Sequence, residues 1–174
     1  MANWVFKSAD HYLSLLYERL HELIYDNHII HADETSVKVM RIDNNKIKNG
    51  RKTYMWGYRN RPTEKIRPIV LFDWQPSRKS YLRTFLNNGD VPMDNNYVEQ
   101  AIRPFTIGRK NFVLIETSNG ARSSAMIYNI DEPAKANYMN VYQYFELLLP
   151  EIPKHMNDTD LKFIDELLPW APRV

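Results

Sequence analysis

The sequence predicts an α/β protein: an N-terminal helix, a three-stranded antiparallel sheet and a helical C-terminal half. Three observations carry this expectation. Leucines recur at helical spacing up to residue 26, strand-like alternation and apolar runs fill residues 28–74, and helical periodicity returns after residue 80. A length of 174 residues suits one domain, divided into a helix-and-strand region (1–79) and a helical region (80–174).

Taken in order, residues 5–26 read as an amphipathic helix, because Leu13, Leu16, Leu20, Leu23 and Ile24 form one stripe. His28–Asp33 starts a strand run in which Val37 and Val39 alternate with Ser36 and Lys38. Asn44, Asn45, Asn49 and Gly50 read as a polar connection. Thr53–Arg59 sets Tyr54, Trp56 and Tyr58 on one face of a second strand, and Ile69–Trp74 is the third. Tyr81–Leu86 reads as one or two helical turns, followed by a break at Asn87–Asp90. Asp94 is a candidate N-cap for a helix that Pro104 would stop at Arg103. Phe112–Ile115 reads as a short strand, Ser118–Gly120 as a turn, and Ala121–Ala136 as a helix that Pro133 should break or kink. Val141–Leu149 and Asp160–Leu168 read as short helices, and Pro169–Pro172 as an extended tail.

Composition narrows the function. At 44% hydrophobic and 25% charged, the chain is in the globular range, which argues against wholesale disorder. No apolar run reaches the ~18–20 residues of a membrane span, and no signal peptide pattern opens the chain, so a soluble cytoplasmic protein is expected. Zero cysteines exclude disulfides, thiolate zinc sites and a thiol nucleophile. The net charge of +2 averages +6 over residues 1–87 and −4 over residues 88–174. From Lys38 to Arg83, 13 Lys and Arg stand against three acids, interleaved with aromatic residues. Such a pattern suits a polyanion surface; the plainer reading is a solvated strand face.

The chemical candidates are few. Asp33 closes a strand run beside the basic region and could hold a hard divalent cation, or be an ordinary strand-end acid. Glu34 cannot pair with it on one face, because neighbouring strand residues point to opposite faces. Asn95, Glu99 and Arg103 share a helix face, so Glu99 is either a metal-binding carboxylate or half of a surface ion pair. His28 and His31 make a weak zinc site. Ser77, Ser123 and Ser124 lack the setting of a nucleophile, and Gly108 alone makes no phosphate loop. Arg103, Arg109, Lys110 and Arg122 form a second basic cluster, suited to phosphates or to local acids.

Together these strings carry a resemblance. Asp94-Asn95-Asn96-x-x-Glu99-x-Ala101-Ile102-Arg103-Pro104-Phe105-x-Ile107-Gly108-Arg109-Lys110-Asn111 closely resembles the C-terminal signature of the DDE transposases of the insertion-sequence sixty-six family. His31–Thr35, Tyr54–Trp56, Gln75–Arg78, Asn119–Ala121, Ala134–Asn137 and Leu167–Trp170 also resemble family motifs. The resemblance implies an RNase H-like fold in which two Asp and one Glu hold two Mg²⁺ ions, and DNA (transposon ends and target) as the partner, with room for a homo-oligomer. It matches Asp33 to the first carboxylate and Glu99 to the third, as catalytic and metal-binding residues. The DNA-contacting residues it suggests, with the charge pattern, are Lys46, Lys48, Arg51, Lys52, Arg59, Arg61, Arg78, Arg103, Arg109 and Lys110.

The departures are equally informative. Arg78 is followed almost at once by Tyr81–Leu86, which resembles the segment just before the Glu helix, so the second Asp has no counterpart. Asp73 matches a different position of the pattern. The start resembles the interior of the family's N-terminal region, without its helix-turn-helix and Cys-rich segment. The expectation is a partial domain: two ends of a larger catalytic domain joined near Arg78–Tyr81, inactive in transposition, or a non-enzymatic nucleic-acid binder. It lacks the parallel strands of the complete sheet, and the edge of its third strand is exposed to pairing with other chains.

Overall fold

The computed structural model describes residues 7–26, 30–42, 45–63, 65–77, 96–111, 115–158 and 160–172. Tyr81–Leu86, the Asp94 cap, His28 and Arg78 lie outside them. A π-helical turn over Ala9–Leu13 leads into helix α1 (Ser14–Tyr25). Strands β1 (Ile30–Ile42), β2 (Asn45–Asn60) and β3 (Val70–Gln75) follow. Then come helix α2 (Asn96–Asn111), strand β4 (Ile115–Thr117), and helices α3 (Ser118–Ala136) and α4 (Val141–Glu151). A 3₁₀ turn at Ile152–His155 and the single turn α5 (Phe163–Glu166) complete the chain. No helix among the described residues is long and apolar enough to cross a membrane.

The sheet has four strands, ordered β3-β2-β1-β4. The expected antiparallel trio is present, with Asp33 opposite Gly57 and Gly57 opposite Phe72. The expectation of a three-stranded sheet lacking any parallel strand is corrected by β4, which runs parallel to β1 with Val39 opposite Ile115. Such a pair forms late in the chain, through the α2 crossover, so local alternation gave no sign of it. Asn45, Asn49 and Gly50 belong to β2 rather than to a connection. The register shifts between Val39 and Arg41, and Asn49 and Gly50 adopt φ of 70° and 68° there. Here residues 47–50 of β2 stand against Met40 alone, and a Cβ at Gly50 would lie 2.8 Å from the Met40 sulfur.

Each face of the sheet carries an apolar core. On one face Val37, Val39, Met55, Val70, Phe72 and Trp74 pack against Ala101, Ile102 and Phe105 of α2 and Ala121 and Ala125 of α3. On the other, Ile69 and Leu71 pack with Leu13, Leu16, Leu20 and Ile24, with Ile130 and Ala134 of α3, and with Tyr144 and Leu148 of α4. A buried chain of hydrogen bonds ties three strands together. Trp74 Nε1 donates to Thr53 Oγ1 at 2.9 Å, and Thr53 Oγ1 donates to Val37 O at 3.0 Å.

At Phe72 the edge of β3 is closed rather than exposed. The buried Asn129 side chain accepts from Phe72 N–H and donates to Phe72 O at 3.0 Å, standing where a fifth strand's peptide would. That removes the expected pairing hazard at this point.

Neither proline ends its helix. α2 runs through Pro104 to Asn111, because buried Ala101, Ile102 and Phe105 hold both halves on the sheet and the exposed Gln100, four residues back, leaves its unpaired carbonyl near water. α3 runs through Pro133, where buried Glu132, Pro133 and Ala134 sit in its last turn. Ser118–Gly120 is the first turn of α3 rather than a free turn, capped by Thr117, whose Oγ1 accepts from Gly120 N–H at 3.0 Å. The helix expected over Asp160–Leu168 shrinks to α5. The tail turns instead of extending: Ala171 N–H donates to Leu168 O at 3.0 Å, and Tyr144 Oη donates to Leu167 O at 2.7 Å.

Asn129→Leu should destabilise the fold by about 2–4 kcal/mol, since it leaves two buried peptide groups of Phe72 unpaired. Equilibrium urea unfolding measures this; a loss below half a kcal/mol, on the order of an exposed substitution, would show that the edge is not held by Asn129.

Candidate functional site

Asp33 lies on β1 directly across from Gly57 of β2. Glycine leaves that spot on the sheet bare, and Ile102 of α2 fills it: a Cβ at Gly57 would meet Ile102 atoms at 3.5 Å. Glu99 precedes Ile102 by three residues and is exposed, so it flanks the helix face that meets the sheet at Gly57. The seat at Gly57 thereby brings Glu99 towards Asp33.

Burial raises the Asp33 carboxyl above its usual range, and the negative charges of Glu34 and Glu99 raise it further. The opposing influence is local: Glu34 N–H donates to Asp33 Oδ1 at 2.8 Å. Asp33 and Glu99, expected from different parts of the sequence, therefore lie on the same side of the sheet. No group of three or more His, Cys, Asp or Glu arranged to hold a metal ion occurs among the described residues.

Asp73 belongs to the opposite face. It is aligned with Trp56 and Glu34 across the sheet, one residue out of phase with Asp33. Its carboxyl is also raised by burial, against a hydrogen bond from Gln75 Nε2 at 2.6 Å and the charges of His21 and Arg122. His31 is buried on β1.

The basic residues separate into two groups. At the far end of the β1–β2 hairpin, exposed Lys38 faces exposed Lys52 across the strands, and Lys48 and Arg51 are exposed nearby. Lys52 Nζ lies 5.7 Å from the centre of the Tyr54 ring. Lys46 is in the same stretch of backbone, and Arg41 there is paired with Glu116 at 3.3 Å. Arg59, Arg61 and Arg67 occupy the other end, where β2 turns into β3. Seven residues of strand, roughly 24 Å, separate Lys52 from Arg59. Arg103 is exposed on α2, Arg109 and Lys110 are in its last turn, and Arg122 lies 5.4 Å over the Trp74 ring. What the sequence reading missed is Gly57, whose only signal was a glycine inside a strand pattern.

The family model described as Transposase IS66 family matches residues 1–82 and 77–123. Among curated proteins, the chain is 31% identical over 94 residues to the uncharacterized protein y4qI of Sinorhizobium fredii, covering 54% of this chain and 17% of that protein. It is 28% identical over 111 residues to y4hP of the same organism, covering 64% of this chain and 19% of the relative. The chain thus spans less than a fifth of the length of these relatives. No solved structure matches.

The Asp33 carboxyl is harder to ionise folded than unfolded, so stability should fall as pH rises from the ordinary carboxylate value through the raised one. Asp33→Asn removes that cost. Its melting temperature should exceed the parent's at neutral pH, and the two should converge below the ordinary carboxylate range, as thermal melts across pH would record. In Glu99→Gln, an NMR titration should find Asp33 shifted down, towards its ordinary value.

Proposed function

The chain belongs to the IS66 transposase family, and we propose that it is a transposase-derived DNA-binding domain that keeps two of the three carboxylates of a strand-transfer site and does not itself cut or join DNA. The observation that carries this reading is the seating of Ile102, one helical turn from Glu99, on Gly57 opposite Asp33. A carboxylate on a central strand and another on a helix packed over it suit the first and third ligands of an RNase H-like site. The mixed sheet, with β4 parallel to β1, supports a partial RNase H-like fold.

The donor set decides what this site can do. Two oxygen donors suit one hard cation such as Mg²⁺. A two-metal centre, which when bound activates the attacking oxygen and stabilises the leaving one, uses several carboxylates around both ions. Asp73 cannot complete the set from the opposite face of the sheet. The residues present therefore fall short of the two-metal group, and no catalytic step is assigned to them. The two stretches that match the family meet at residues 77–82, which supports loss of the intervening segment and the second Asp with it.

The DNA-binding part of the reading rests on the hairpin end. Lys38 and Lys52 are like charges facing one another across a strand pair, an arrangement that is unfavourable in the free protein and relieved by a bound polyanion. A domain that works on DNA in this way belongs in the cytoplasm.

The protein should show no Mg²⁺- or Mn²⁺-dependent cutting of DNA carrying the ends of a related element. Cutting that is abolished in Asp33→Asn or Glu99→Gln would overturn that part of the reading. Duplex binding should weaken steeply with salt, and replacing Lys48, Arg51 and Lys52 together by Ala should reduce the slope of log K against log salt by about 3. A flat salt dependence in the parent protein would reject the DNA-binding part.

A further inference from the structure

The β2–β3 loop, the end of α3 and the C-terminal segment enclose a cleft of about 470 Å³. Arg59, Arg67, Tyr138 and Trp170 line it, together with Pro62 and Pro169. It lies outside both the Asp33–Glu99 pair and the basic hairpin end.

Tyr138 is the most unusual residue of the cleft. α3 closes with Met139 N–H donating to Ala134 O at 2.9 Å and Tyr138 N–H to Lys135 O at 3.0 Å. This pair of bonds sets residue 138 in the left-handed region, at φ 62°, where glycine is usual. A tyrosine there carries a backbone cost, and its side chain offsets none of it, being 99% exposed. A large ring held in solvent from a strained position marks a side chain used by something outside the fold. Trp170 is the complementary wall. It is half-buried and packs on the apolar core beside buried Leu167 and Leu168, and Tyr144 pins Leu167.

The charge of the cleft selects its occupant. Arg59 and Arg67 place two guanidinium groups among the lining residues. Glu132, an acid whose charge interacts with Arg59, is bound to Lys135 at 2.9 Å, and Arg67 is exposed at the cleft. Aromatic rings alone would suit a proline-rich peptide, whereas rings combined with two arginines suit stacked bases and their phosphates. Arg59 is also two residues from Gly57, the cross-strand partner of Asp33, so the cleft opens at the Asp33 end of the sheet.

We propose that this cleft is a subsite for single-stranded DNA, in which a base stacks against Tyr138 and Trp170 while Arg59 and Arg67 hold the adjoining phosphates. The proposal rests on the DNA-binding reading above and assigns a second site to it.

Fluorescence anisotropy with a labelled oligothymidylate and a labelled duplex of equal length tests it. Tyr138→Gly suits the backbone, so loss of folding is not expected. It should weaken oligothymidylate binding about tenfold, as should Arg67→Ala, while Tyr138→Phe keeps the ring and the affinity. Duplex binding should stay at the parent level in all three. Unchanged oligothymidylate affinity in Tyr138→Gly, or equal losses on both DNAs, would overturn the subsite while leaving the hairpin reading intact. A proline-rich peptide whose binding is lost in Tyr138→Gly, with oligothymidylate affinity unchanged, would also overturn it. A parent protein that binds neither DNA would overturn the DNA-binding reading and this site together.

Discussion

The two hydrogen bonds between the Asn129 side chain and the Phe72 peptide fix the course of α3, and much else depends on that course. They set the middle of α3 against the edge of β3. Ala121 and Ala125, before this point, enter the core on the α2 side, and Ile130 and Ala134, after it, enter the core on the α1 side. One helix thus closes a sheet edge and joins two apolar layers. Its start carries β4 beside β1, and its end forms a wall of the cleft. A buried amide can do this because it offers a donor and an acceptor with the spacing of a peptide group.

The pleat of the sheet then sorts the acids. Asp33 and Asp73 both lie on strands, both are partly buried, and both have carboxyls raised by burial. One residue of phase separates them, and it sends Asp33 towards Glu99 and Asp73 towards His21. The same geometry divides the basic window. What is a single +10 stretch in the sequence becomes two ends of a long hairpin, one bearing Lys48 and Lys52 and the other bearing Arg59 and Arg67. Charge counted along a chain is an average over a surface that folding separates.

Legibility followed the range of the forces involved. The α1 stripe, the three antiparallel strands and α4 were readable because period and alternation are local. The prolines misled because a local penalty of about 3 kcal/mol was set against tertiary burial on both sides of Pro104 and around Pro133. β4 was missed as a parallel strand because three residues carry too little pattern, and its partner lies more than seventy residues earlier. The tail looked extended from its prolines, yet Tyr144 and the buried leucines turn it into a wall of the cleft.

The amino-acid sequence determined the α/β class, the family, and Asp33 and Glu99 as the residues of interest, since each is written in local period or in a contiguous motif. Only the tertiary structure decided that these two carboxylates lie on the same side of the sheet, that Asp73 stands apart, and that Tyr138 and Trp170 line the same cleft. Those facts depend on strand phase and on the packing of Ile102 against Gly57, and both arise from contacts between residues far apart along the chain.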